Sequence, residues 1–263
     1  MIAPLLSPVL ATTPADSASG PAATRCCTVL ELRQYTLKPG QRDVLINLFE
    51  REFVEPQEAV GIRLVGQFRD LDRPDRFVWV RGFPDMPSRA AALQAFYGGP
   101  AWQSHRDAAN ATMIDSDNVL LLRPAASDSG FPNATAARAP IGSTEPRSRI
   151  LATIYHFDAP VDDGFRRFFE SEIAPVLGEA GATPIAKLET EPAENTFPRL
   201  PVRADEHVFV WFARFADDAA RTASEVRLAH SPRWTALRTA LKKPLKSPPE
   251  RLVLAPTARS LLR

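Results

Sequence analysis

Cysteine is nearly missing from this 263-residue chain: Cys26 and Cys27 stand side by side, and there are no others. Adjacent cysteines close a strained ring and offer no four-ligand set, so neither a disulfide framework nor a zinc site is expected, and a reducing, cytoplasmic setting is the simpler reading. No apolar run approaches the roughly 18 residues needed to span a bilayer, so no membrane span is expected. An excess of one charge is lacking as well. Lys+Arg number 32 against 31 for Asp+Glu, which argues against nucleic acid or anionic lipid as a partner. The basic cluster Lys242-Lys243-Pro244-Leu245-Lys246 is short and broken by proline, and reads as a solvated loop. There is no Gly-rich phosphate cradle, no Gly-x-Ser-x-Gly elbow and no His-Glu-x-x-His. The four histidines, His105, His156, His207 and His230, are scattered, and no metal or cofactor is expected.

What the chain does contain is a repetition. Tyr35 recurs as Tyr155 and Gly61 as Gly181 at a spacing of 120 (155−35, 181−61), with Phe49/Phe169 and Glu52/Glu172 between them at the same spacing. Trp79/Trp211, Phe83/Phe215, Pro100/Pro232, Trp102/Trp234 and Pro124/Pro256 then match at 132 (for example 234−102), so twelve residues (132−120) are inserted between Gly181 and Val208. The Pro-rich stretch Glu191 to Pro201 is the loop expected to hold them. Duplicated units usually bury their faces against each other, which directs the search for function to the joint between them.

Composition divides the rest. Residues 1–27, rich in Ala, Pro, Ser and Thr, read as a disordered leader. A secretory signal is not expected there, because no basic residue precedes Arg25 and Pro4 and Pro8 interrupt the apolar run. The first unit spans 28–124, a flexible linker 125–148, the second unit 149–257 and a tail 258–263. The linker has no apolar period with which to offset its ordering entropy.

Within the first unit, Thr28 to Leu37 alternates as a strand, with Leu30 and Leu32 on one face and Glu31, Arg33 and Tyr35 on the other. Leu45, Leu48, Phe49 and Phe53 recur at helical spacing, as do Phe165, Phe168, Phe169, Ile173 and Val176 later. Pro56 is expected to end the first helix and Pro175 to kink or shorten its counterpart. Ile62 to Phe68 and Arg76 to Phe83 read as strands, followed by a helical region broken at Gly98-Gly99-Pro100 and a last strand, Val119 to Leu122. The order β-α-β-β-α-β predicts an α+β fold of two ferredoxin-like repeats packed sheet to sheet, an intrachain α/β barrel.

The run Leu30-Glu31-Leu32-Arg33-Gln34-Tyr35-Thr36-Leu37-Lys38-Pro39-Gly40 resembles the opening of a NIPSNAP domain. Asp75 to Phe83 and Pro100-Ala101-Trp102 are similar to that domain's middle and end, so the resemblance covers Thr28 to Pro124. The second unit is a degenerate copy: His156-Phe157-Asp158-Ala159-Pro160 stands in for the Thr-Leu-Lys-Pro-Gly turn, while Trp211 and Ser231-Pro232-Arg233-Trp234 persist. The resemblance implies a tandem dimeric α/β barrel, related in fold to small monooxygenases, heme-degrading enzymes and isomerases, in a family without a well-established reaction. The predominance of Arg over Lys, with much Ala and Pro, looks bacterial.

The sheet face turned from the helices is expected to line a shared cavity. If Glu31, Arg33 and Tyr35 face inward, their counterparts Leu151, Thr153 and Tyr155 make that cavity polar on one side and apolar on the other, suited to a ligand with an anionic or carbonyl end and a greasy body. The bland alternative is that Glu31 and Arg33 form a cross-strand or rim salt bridge. His105 shares a helical face with Trp102 and is the candidate general base. Arg33 or Arg81 would steady an enolate-like oxygen. Trp79, Trp102, Trp211 and Trp234 are core residues first and stacking surfaces second. Glu52 and Glu172, repeated in both units, read as architectural. Three functions stay open: binding of a small amphipathic molecule or a protein partner, cofactor-independent oxygenation or isomerisation, and a structural subunit that forms homo-oligomers through exposed edge strands.

Overall fold

The computed structural model describes residues 25–133 and 137–263, so the expected leader over 1–27 lies almost wholly outside the described residues. The alternation from Val29 onward forms β1 (Val29–Leu37). It is followed by α1 (Arg42–Glu52), α2 (Val54–Ala59), β2 (Arg63–Asp70), β3 (Arg76–Phe83), α3 (Met86–Gly98), α4 (Pro100–Ala111), β4 (Met113–Asp115) and β5 (Val119–Pro124). The second unit runs β6 (Arg149–Phe157), α5 (Asp163–Phe168), a π-helical turn (Phe169–Ile173), α6 (Ala174–Glu179), β7 (Pro184–Thr190), β8 (His207–Phe215), α7 (Asp218–Ala229), α8 (Pro232–Lys242) and β9 (Glu250–Pro256). Gly61 and Gly181 turn into β2 and β7 with φ of +91° and +84°, a left-handed conformation that glycine adopts without a steric penalty.

Pro56 acts differently from expectation: it sits inside α2 rather than ending the helical region, because the first turn of a helix has no bond for its missing N–H to break. Pro175 lies in the first turn of α6, directly behind the π-helical turn that interrupts the second region, in keeping with the break expected there. Lys242 belongs to α8 and is not in a loop.

In the first unit β1 lies between β3 and β5, and β3 pairs with β2. In the second, β6 lies between β8 and β9, and β8 pairs with β7. The units join edge to edge, β2 with β9 and β5 with β7, all antiparallel. Eight strands thereby close into a barrel with helices outside. Closure removes the edges on which the structural-subunit alternative relied for chain-to-chain pairing; among the described strands only three-residue β4 remains at an edge.

The barrel interior is filled. Leu30, Leu32, Val78 and Val80 from one unit meet Ile150, Ile154, Val210 and Leu254 from the other. The expectation of a shared cavity inside is therefore corrected: the aliphatic face of β1 points inward, and its polar face lies under the helices. Two further apolar clusters sit there, one between each sheet and its own helices.

Segments expected to be loose are packed. Phe131 is buried against Phe212, with ring centroids 4.9 Å apart. Burying such a ring is worth about 1.5–3 kcal/mol, which helps offset the linker's ordering cost. Arg138 donates to the Glu58 carboxylate and to the carbonyls of Leu64 and Arg259. The tail is buried at Ala258, Arg259 and Ser260, with Arg259 paired to Glu55 and bonded to Glu50 of the first unit. Cys26 and Cys27 are joined as a disulfide, contrary to expectation. Cys27 is buried beside Gly82, where an added side chain would collide with its sulfur, and this contact fixes the pair at the mouth of β1. Among the described residues no helix is long and apolar enough to cross a membrane.

Candidate functional site

The β1–β3 register sets Glu31 opposite Arg81 and Arg33 opposite Trp79, which gathers these four side chains on the helix-facing side of the sheet. Arg89 joins them from α3, whose first turn is fixed by Asp85 accepting from the Ser88 N–H at 2.7 Å. Glu31 accepts from Arg33 Nη1 at 2.6 Å, Arg81 Nε at 2.7 Å and Arg89 Nε at 2.7 Å. All four are buried. Three guanidiniums against one carboxylate leave the cluster formally +2 (3−1). Burial opposes ionisation of Glu31, yet Arg81, Arg33 and Arg89 hold its carboxyl well below the usual carboxylate range.

Above this cluster lies a cavity of about 420 Å³ between the sheet and α1 to α4. Tyr35, Phe53, Trp79, Tyr97 and Trp102 form an aromatic part of its wall, and Arg106, Asp107, Asn110 and Ser116 a polar one. Arg33 Nε donates to the Tyr35 hydroxyl at 3.1 Å. Burial drives the Tyr35 phenol up, against the pull of Arg33. Arg81 reaches Gln57 and the Tyr97 hydroxyl at 3.4 and 3.5 Å, both residues of the cavity wall, and its guanidinium stands 5.0 Å from the Trp79 ring centroid. The Trp79 indole N–H and the Nη2 groups of Arg81 and Arg89 are buried without a hydrogen-bond partner among the described residues. Such donors are costly to leave unmet and mark a place where an acceptor would be well received.

The cavity is closed by the other unit. Residues 191–201, the inserted stretch, cross over so that Asn195 and Thr196 accept from Arg89 Nη1 at 3.0 and 3.2 Å. Phe197 stacks on Tyr97 with centroids 5.9 Å apart, and Arg199 and Leu200 complete the wall. The joint between units thus contributes to the site, through a loop and not through the barrel interior.

Of the residues singled out in the sequence, Tyr35, Trp79 and Trp102 line this cavity, and Glu31, Arg33 and Arg81 form the buried cluster behind its wall without lining it. His105 stands apart. It is one-third exposed beside Phe53, with Nε2 3.3 Å from the Glu52 carboxylate, and it is absent from the cavity wall. Glu172, the copy of Glu52, pairs instead with Arg233 at 3.4 Å. Tyr155 lines a separate cavity of about 370 Å³ in the second unit, with Trp211 and Trp234. Burial pushes its phenol up to about 12. Sequence reasoning missed Arg89, Gln57, Tyr97 and the covering loop. Arg89 carried a signal, because it shares the buried stripe of α3 with Leu93 and Phe96 at i+4 and i+7.

No curated protein matches the chain in sequence. Among solved structures, a candidate monooxygenase from Fusobacterium nucleatum is similar over 87% of this chain and 92% of its own, at 10% identity and a TM-score of 0.52. An anthrone oxidase-like protein is similar over 87% and 91%, at 12% identity and a TM-score of 0.51. These likenesses are of fold, an α/β barrel. A NIPSNAP domain protein from Burkholderia xenovorans aligns with 37% of this chain and 95% of its own, at 20% identity and a TM-score of 0.35. The NIPSNAP family model matches residues 30–128, the stretch from β1 past the end of β5 that builds the buried charged cluster and most of the cavity wall, and the first unit is accordingly a NIPSNAP domain.

Proposed function

We propose that the first-unit cavity binds a small molecule with an anionic end and an aromatic or otherwise apolar body. The observation that carries this reading is the buried cationic cluster, Arg33, Arg81 and Arg89 around the single carboxylate of Glu31, which lies behind the cavity wall and touches it through Tyr35, Gln57 and Tyr97. A buried charge excess is expensive unless neutralised, and an incoming carboxylate, phenolate or enolate would neutralise it. Arg81 and Trp79 supply the donors, and the rings hold the body. The frame is read as two ferredoxin-like repeats, 28–124 and 149–257. The strand orders β5-β1-β3-β2 and β9-β6-β8-β7 correspond, which supports duplication.

Thermal unfolding of the whole chain with a series of aromatic carboxylates and their neutral amides tests this. A ligand that binds only the folded state raises stability as its concentration passes Kd. Carboxylates should stabilise and amides should not; equal shifts from both would refute an anion site. The cationic cluster also favours a second reading, in which the bound anion is an enolate or phenolate held for cofactor-independent oxygenation or isomerisation. His105, outside the cavity wall and beside Glu52, is not placed to act on such a ligand, so His105→Ala should leave any turnover unchanged; loss of turnover with affinity kept would restore it as the base.

A further inference from the structure

The second cavity inverts the first. Leu151, Thr153 and Ala213 occupy the positions that correspond to Glu31, Arg33 and Arg81, so its floor carries no charge. Leu177, Trp211, Leu228 and Trp234 are among its walls, and every lining residue belongs to the second unit. The Trp211 indole N–H, whose counterpart in the first unit has no partner, donates to the Tyr155 hydroxyl at 3.1 Å. Nothing in this floor asks for an anion.

The charge lies instead at the rim. Arg238 and Lys242 are four residues apart on α8 and share a helix face. Both line the cavity, both are exposed, and neither is ion-paired among the described residues. Arg251, the third rim cation, is taken up by Glu225. A carboxylate pushed to the floor would lose its hydration with no cation to receive it, whereas at the rim it meets two. An alkyl chain has the opposite preference.

We propose that this cavity binds a medium-chain aliphatic carboxylate tail first, with its head group held by Arg238 and Lys242. The site is independent of the one in the first unit. Calorimetric titration of the whole chain with decanoate should give saturable binding, tighter than that of decanol and weakened by salt. Reversing both rim charges, Arg238→Glu with Lys242→Glu, alters exposed positions only and should weaken decanoate about tenfold or more while leaving decanol unchanged. Ala229→Trp, at the exposed lip of α7, should block both. The proposal is overturned by an absence of saturable heat, by equal decanoate affinity in the charge-reversed chain, or by binding that survives Ala229→Trp and is lost in Phe197→Ala, which would put the ligand in the first cavity.

Discussion

Glu31 is the residue on which the first cavity depends, because it is the common acceptor of three buried guanidiniums. Its removal leaves those charges facing one another in a poorly hydrated space. Glu31→Gln should lower unfolding stability by about 3–5 kcal/mol, read as a fall in denaturant midpoint at constant m. Since its folded pKa is depressed, its stabilisation is present above the ordinary carboxylate value of 4.5 and is lost as pH falls through the lower folded one. His156 behaves in the opposite sense. The carboxylates of Glu250, 3.9 Å from Nε2, and Glu206, hydrogen-bonded to Nδ1 at 3.1 Å, raise its pKa against the effect of burial. Arg76 pairs with Glu250 and Arg203 with Glu206. The His156 contribution is complete below its ordinary value of 6.5 and is lost as pH rises through the raised one. Urea unfolding at about pH 6 and about pH 9 should show a decline that His156→Gln lacks.

At the scale of elements, what the sequence revealed and what it hid have the same cause. The period-two pattern of β1 placed Leu30 and Leu32 on one face and Glu31, Arg33 and Tyr35 on the other, and that division holds. Which face lies inside the barrel could not be read, because both faces are buried, one by the partner sheet and one by helices. The Trp102–His105 spacing did identify one side of α4, but that side is wide enough for Trp102 to reach the cavity while His105 meets Glu52. The inserted loop was legible as a twelve-residue register shift (132−120), yet its destination was not, since the contact between Phe197 and Tyr97 spans a hundred positions (197−97) and depends on the closed barrel. A stacked aromatic pair is worth about 0.5–1.5 kcal/mol. Phe197→Ala should therefore weaken an aromatic carboxylate in the first cavity by up to about tenfold and leave decanoate binding unaltered, both measurable in one calorimetric series.

For the whole molecule, stability is shared and cannot be divided between the units. Each unit completes the other's sheet at two places, β2 with β9 and β5 with β7, and the inward faces cover one another. A chain limited to residues 28–124 would expose both strand edges and an apolar face, the usual conditions for self-association. Light scattering should find it dimeric or aggregated; a stable monomer with full helical and sheet signal would contradict the shared core.

The pairing of β2 with β9 also imposes an order on assembly during synthesis. β2 leaves the ribosome early, whereas its partner is the last of the nine described strands to emerge, so one flank of the leading unit stays unpaired for most of translation. At roughly 5–20 residues per second, the roughly 180 residues separating those strands (250−70) amount to a wait of about ten seconds or more. Throughout that interval the nascent protein is a natural client for chaperones that shield unpaired strands.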